Sequence, residues 1–212
     1  MRKLLFIVCL YVFTTSAHAQ LKLSYGPKAG LNLSTVHHTI FDFQKVRPGL
    51  HIGGFLNLRF NKWIALQPEL FYSMQGTLHE MSEVSEDGNF TGNTIKNKTK
   101  LDYLQIPLMF KFYPISGLYL EAGPQFGILV NAKYDAPSSQ YYDNCNIRDL
   151  TKKGDIGLGI GAGYEFRFGL MAGYRYTHGF MDTIERGIFD DAAQNKVHQI
   201  TFGWNFRAFS KK

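Results

Sequence analysis

The chain has 212 residues, 45% of them hydrophobic, 15% aromatic and 19% charged, with 21 glycines, two cysteines and a formal net charge of +6. That length suits one domain, and the Lys and Arg residues are scattered along the chain with no long basic run, so the mild positive balance carries no nucleic-acid signature. Beyond the N-terminal stretch no apolar run is long enough for a membrane-spanning helix, and no 3.6-residue periodicity is sustained.

The chain opens MRKLLFIVCLYVFTTSAHAQ, in which Arg2 and Lys3 precede a short apolar stretch and Ala17-His18-Ala19 fits the A-x-A cleavage rule. Residues 1–19 read as a cleaved export signal and 20–212 as the mature domain. Removing the signal lowers the formal charge from +6 to +4, by the loss of Arg2 and Lys3, and takes Cys9 with it. Cys145 is then the one remaining cysteine, so no intrachain disulfide is expected, and it has no His or Cys nearby at metal-ligand spacing.

Eight segments then alternate with a period of two, the pattern of a strand whose two faces differ. The first, about 22–34, sets Leu23, Tyr25, Pro27, Ala29, Leu31 and Leu33 against Lys22, Ser24, Lys28 and Asn32. The second, 48–60, sets Leu50, Ile52, Leu56, Leu58 and Phe60 against His51, Gly53, Phe55, Asn57 and Arg59. The third, 64–76, opposes Ile64, Leu66, Leu70 and Tyr72 to Gln67, Glu69 and Ser73. The fourth, 101–113, opposes Leu104, Ile106, Leu108, Phe110 and Phe112 to Gln105, Met109 and Lys111. The fifth, 117–131, opposes Leu118, Leu120, Phe126 and Ile128 to Glu121, Gly123, Gln125, Gly127 and Asn131.

The sixth, 155–166, is a glycine ladder: Gly157, Gly159, Gly161 and Gly163 alternate with Ile156, Leu158, Ile160, Ala162, Tyr164 and Phe166. Its strict period of two lacks the G-x-G-x-x-G step, and no helix N-terminus follows it, so it reads as a strand with one bare face and not as a phosphate loop. The seventh, 168–177, opposes Phe168, Leu170, Tyr174 and Tyr176 to Gly173, Arg175 and Thr177; the eighth, 196–208, opposes Ile200, Phe202, Trp204 and Phe206 to Gln199, Asn205 and Arg207.

The connections alternate as well. Short turns fall at Asn61-Lys62-Trp63, at 114–117 and near 166–168, whereas 35–47, 77–100, 132–152 and 178–195 are long and polar. An even number of strands with this asymmetry predicts an all-β fold: an eight-stranded antiparallel transmembrane β-barrel with short periplasmic turns and long extracellular loops. A soluble cup would put the apolar face inside. Two features favour the opposite sense: the second face is rich in glycine and isolated charges, as a narrow lumen requires, and Phe60, Phe112, Phe166, Phe168 and Phe206 gather near the short-turn end with Tyr72, Tyr174 and Tyr176 toward the other.

The lumen is then expected to hold Lys28, Glu69, Lys111, Glu121 and Arg175 at mid-height, with Arg59, Glu165 and Arg207 nearer the short-turn rim. Unpaired charges in a confined interior are costly, so these should pair and fill a barrel barely wide enough for side chains. A structural salt-bridge network is favoured over a proton or ion path. No catalytic, cofactor-binding or metal set is expected. His37, His38, Asp42, Asp87, His178 and Asp182 lie in the long connections, but no motif fixes their mutual geometry.

The segments GPKAGLNLS, QPELFYSMQG, LDYLQIPLMFKFY and LYLEAGPQFGILV, and the glycine-rich strand followed by GYRYTHG, resemble the PorT-type outer-membrane β-barrel family over most of the mature chain. The resemblance implies an eight-stranded barrel in the outer membrane of a Gram-negative cell; most members have no assigned activity, and the founding member is tied to protein secretion. The implied role is a non-enzymatic, monomeric barrel with lipid around it and envelope or secretion proteins as partners of its loops. The alternatives are an outer-membrane enzyme acting on lipid or protein at the loop rim, and a soluble periplasmic ligand-binding barrel.

Overall fold

The structure is a computed structural model that describes residues 21–37, 44–84, 90–136, 144–183 and 194–207. Eight long strands follow one another: β1 (Lys22–His37), β2 (Gln44–Arg59), β3 (Ile64–Val84), β4 (Phe90–Phe112), β5 (Leu118–Asp135), β6 (Gly154–Glu165), β7 (Leu170–Asp182) and β8 (Gln194–Trp204). Each pairs antiparallel with its neighbours in sequence, and β8 returns to β1 from Lys28↔Gly203 to His37↔Gln194. After a break at Asn205 the short strand Phe206–Arg207 continues that seam against Ser24 and Tyr25. The sheet is thereby closed, and its edges are satisfied by its own strands.

The burial pattern fixes the sense of the barrel. Along the strands the polar residues are enclosed, as with Lys28 at 4% exposure, Lys111 at 1% and Gln67 at 0%, whereas Ile52 at 64% and Phe202 at 57% lie on the outside. A continuous apolar band of that extent is far larger than a protein in water exposes, and it matches the lipid-facing surface of a transmembrane barrel. At the short-turn end the band finishes in a girdle of touching rings: Trp63 stacks on Phe112 at 6.3 Å, Tyr164 meets Phe166 at 4.9 Å, and Phe166, Phe168 and Trp204 follow at 5.5 and 5.9 Å. Ile160, near the middle of the outward row of β6 and 52% exposed, is a direct test of this sense. Ile160→Arg should lower stability by about 2–4 kcal/mol in reversible guanidinium refolding into lipid vesicles, because an arginine would then face hydrocarbon.

Three short turns close one end. The Asn61 side-chain oxygen accepts the backbone N–H groups of Trp63 and Ile64, both at 2.8 Å, which holds the β2–β3 turn. Gly117 and Gly169 supply the positive φ values, 89° and 108°, that the other two require. Proline accounts for three of the ladder's interruptions: the paired registers skip 67–68 between β2 and β3, 106–107 between β3 and β4, and 123–124 between β4 and β5, each gap holding Pro68, Pro107 or Pro124. A proline has no N–H to give, so the ladder breaks there and resumes in register.

Several expected boundaries need correction. The third long connection contains a further short strand, Cys145–Asn146, and a 3-10 turn at Arg148–Leu150. More importantly, most of the expected 77–100 loop is strand, since β3 runs to Val84 and β4 starts at Phe90, pairing from Gly76↔Lys100 to Ser82↔Thr94. Beyond the apolar band both faces of a strand meet water, so the period-two signal fades while the backbone ladder continues. Phe168 lies in the β6–β7 turn, ahead of a strand that begins at Leu170. Asn131 is not a lumen residue: a bulge at Asp102/Tyr103 sets it opposite Asp102, to which it donates at 3.0 Å. The proposed leader, His38, Asp42 and Asp87 lie outside the described residues, as do the side chains of His37 and Arg207.

Candidate functional site

The enclosed faces of the eight strands meet in layers across the lumen. At the short-turn rim Arg59 lies 3.8 Å over the ring of Tyr113 and pairs with Glu165 at 3.2 Å, while Asn205 donates to the other Glu165 oxygen at 2.7 Å. A vestibule of about 610 Å³ lined by Lys22, Arg59, Lys62, Trp63, Tyr113 and Ile115 opens below this layer. Above it sit Phe55, Ala65, Tyr113, Tyr119 and Met171, all buried.

The next layer holds the five charged residues, and the structure places all of them together. Glu69 on β3 is the hub: Lys28 from β1 donates to its Oε1 at 2.7 Å, and Arg175 from β7 grips both oxygens at 2.7 and 3.0 Å. The Arg175 Nε–H donates to Glu121 Oε1 at 2.7 Å, and Lys111 lies 3.6 Å from the other Glu121 oxygen and 3.7 Å over the ring of Tyr119. Bidentate guanidinium–carboxylate contact fixes both partners in the plane, so this cluster is rigid as well as charged. It contains three cations against two carboxylates, all at most 7% exposed.

The glycine ladder explains how so much charge fits. Register places Gly161 opposite both Glu121 and Arg175, and Gly163 opposite Tyr119 and Gly173. A Cβ at Gly161 would lie 3.2 Å from Glu121 Oε1 and 2.5 Å from the Tyr174 carbonyl oxygen; one at Gly163 would lie 2.3 Å from the Tyr119 hydroxyl. The bare face of β6 is therefore the space into which the bulky groups of β5 and β7 project.

Above the charges lies a neutral polar layer centred on His51, whose ring nitrogens contact Asn32 Oδ1 at 2.8 Å and Thr201 Oγ1 at 3.0 Å. Asn32 also donates to Ser73 at 2.9 Å and accepts from Gln199 at 3.1 Å. Near the far mouth Val36, Leu101, Tyr103, Leu129 and Ala132 form an apolar layer with Ile147 packed against it. The polar layer was visible in the alternation of the enclosed face. The apolar one was not, because Leu101 and Leu129 read as ordinary members of apolar strands.

The histidines and acids of the long connections do not assemble a reaction centre among the described residues. His178 packs edge-on to Phe180 at 5.4 Å, and Asp182 lies 3.7 Å from Lys152. Beyond the apolar band, Glu80 accepts a hydrogen bond from Lys45 and lies 3.6 Å from Lys96, and these cations hold its carboxyl below the usual range.

Residues 17–185 match the family described as outer membrane protein beta-barrel domain. No curated protein matches the chain. Among solved structures, neisserial surface protein A aligns with a TM-score of 0.49 at 12% identity over 87% of this chain and 97% of its own. The Ail attachment invasion locus protein of Yersinia pestis, in complex with the heparin analogue sucrose octasulfate, gives 0.47 at 15% over 87% and 99%. OprG of Pseudomonas aeruginosa gives 0.41 at 11% over 91% and 99%.

Proposed function

We propose that this chain, which belongs to the outer membrane protein beta-barrel domain family and resides in the outer membrane, is a closed, non-enzymatic barrel that anchors an outward-facing interaction surface. The observation that carries this reading is the Glu69 hub: strands from three sides of the lumen are tied to one carboxylate, with packed layers above and below it. A lumen filled in this way offers no route for solutes, so the working surface is what the strands carry beyond the membrane. The β3–β4 hairpin is the largest such element.

The narrower PorT-type resemblance rests on the order of its motifs and fits the same picture, with the arms engaging envelope or secretion proteins. An exported Gram-negative protein with a cleaved leader is part of that reading. The soluble cup has no support from a barrel whose apolar face is outside. An enzyme at the rim has little, given the separate pairings of His178 and Asp182.

The test replaces residues 78–98 by Asn-Gly, which joins Thr77 to Thr99 across a ladder pair already formed. The shortened chain should keep heat-modifiable migration, and proteins cross-linked to the full chain in native membranes should fall about tenfold or more, the loss of a main contact surface. An unchanged cross-linking pattern would contradict the role given to the arm.

A further inference from the structure

The lipid-facing rows of β4 and β5 do not end where the apolar band ends. On β4 the outward parity of Ile106 and Leu104 continues through Asp102 to Lys100, Lys98 and Lys96. On β5, after the bulge, it continues through Asn131 to Lys133 and Asp135, and Lys45 of β2 joins the same face opposite Leu78. Five lysines therefore stand on the outer wall directly above the hydrocarbon-facing rows. Lys100 is four residues past Leu104, which at strand rise and barrel tilt is roughly 10 Å along the axis, within or just above a headgroup layer.

The carboxylates on this wall do not balance them. Glu80 takes Lys45 and Lys96, and Asp135 takes Lys100. Asp102 is engaged by Tyr72 and Asn131. Lys98 and Lys133 have no ion pair among the described residues: register sets Lys98 opposite Asp135, whose carboxylate is taken by Lys100, and sets Lys133 directly opposite Lys100. Five lysines against Glu80, Asp102 and Asp135 leave a surplus of two positive charges on this wall, and like charges on neighbouring strands are unfavourable until an anion joins them.

We infer that Lys96, Lys98, Lys100 and Lys133 form a binding site on the outer wall for the phosphates of a phosphorylated glycolipid in the surrounding outer leaflet. Continuity with the lipid-facing surface selects a lipid over a soluble polyanion: a ligand here can bury acyl chains against Leu104, Ile106 and Ile128 while its phosphates meet the lysines. Lysine suits the task because its flexible stem follows a mobile headgroup. The inference goes beyond the closed-barrel reading and needs only that the hairpin end faces outward.

Native mass spectrometry of the full chain in phosphatidylcholine nanodiscs doped with diphosphoryl lipid A provides the test. The wild-type barrel should retain the glycolipid, and the combined Lys96→Gln, Lys98→Gln, Lys100→Gln and Lys133→Gln variant should retain it about 25-fold less or weaker still, since each lysine near an anionic headgroup is worth roughly a factor of five and two of the four have no ion pair of their own. The matching Lys→Arg variant should restore binding. Equal retention by the Gln variant, equal retention of dephosphorylated glycolipid by the wild type, or displacement by inorganic phosphate would each overturn the assignment, the last marking a free-anion site. If the Gln variant fails to fold, the comparison of phosphorylated and dephosphorylated glycolipid on the wild type still decides. An open pore would sink the closed-lumen reading and leave this result untouched.

Discussion

Replacing Glu69 by Gln should cost about 3–5 kcal/mol of barrel stability, because it strands buried cations that share one carboxylate. In the native cluster Lys28, Lys111 and Arg175 face Glu69 and Glu121. Without Glu69, three cations are left with Glu121 alone. Arg175→Met should cost less, although it removes more hydrogen bonds, because Lys28 with Glu69 and Lys111 with Glu121 survive as two balanced pairs. Combining Glu69→Gln with Arg175→Met returns the excess to a single cation and should recover about 1–3 kcal/mol relative to additivity. Reversible guanidinium refolding into lipid vesicles reads all three. If Arg175→Met proves the worse single change, or the double variant is additive, the charge-balance account of this layer fails.

The second large effect is steric. Gly163→Ala should destabilise the barrel by about 1–3 kcal/mol, the usual cost of overpacking a filled interior. The new Cβ would sit 2.3 Å from the Tyr119 hydroxyl and 2.6 Å from the Ala172 carbonyl oxygen, and the second of these is backbone that cannot swing away. Gly159 is the control four residues back along the same face. A Cβ there meets only Arg175 Cδ at 3.3 Å and Met109 Cε at 3.4 Å, both on flexible side chains, so Gly159→Ala should be nearly neutral. Equal losses at the two positions in the same refolding assay would mean that the ladder serves the backbone of β6 and not the space beside Arg175.

How the sequence encodes this molecule depends on depth in the membrane. Within the apolar band the alternation is unambiguous, because lipid on one side and a crowded polar lumen on the other impose opposite demands on successive residues. The parity of Lys28, Glu69, Lys111, Glu121 and Arg175 could therefore be read directly, and the short turn at 114–117 was enough to bring Lys111 and Glu121 opposite each other. Which carboxylate takes which cation was not readable. That depends on the stagger of the closed sheet, which brings Arg175 of β7 to Glu69 of β3 through space that no hairpin connects.

Above the band the demands on the two faces converge and the pattern weakens. The outer halves of β3 and β4 looked like a polar loop for that reason, although their ladder runs on to Val84 and Phe90. The bulge that moves Asn131 to the outer wall depends on local twist, which leaves no mark in composition. Leu101 and Leu129 keep the enclosed parity of Lys111 and Glu121 along their strands, but as leucines they carry the residue type of the lipid-facing row, which is why no apolar layer stood out there.

Single-channel recording in planar lipid bilayers tests the closed lumen most directly. The wild-type barrel should insert without stable conductance steps, and the Glu69→Gln, Arg175→Met double variant should at most add brief, small openings as its central clamp loosens. Stable, long-lived steps from the wild-type protein would contradict the account, which has Lys28 and Arg175 joined to Glu69 across the lumen at 2.7 Å with packed layers on either side.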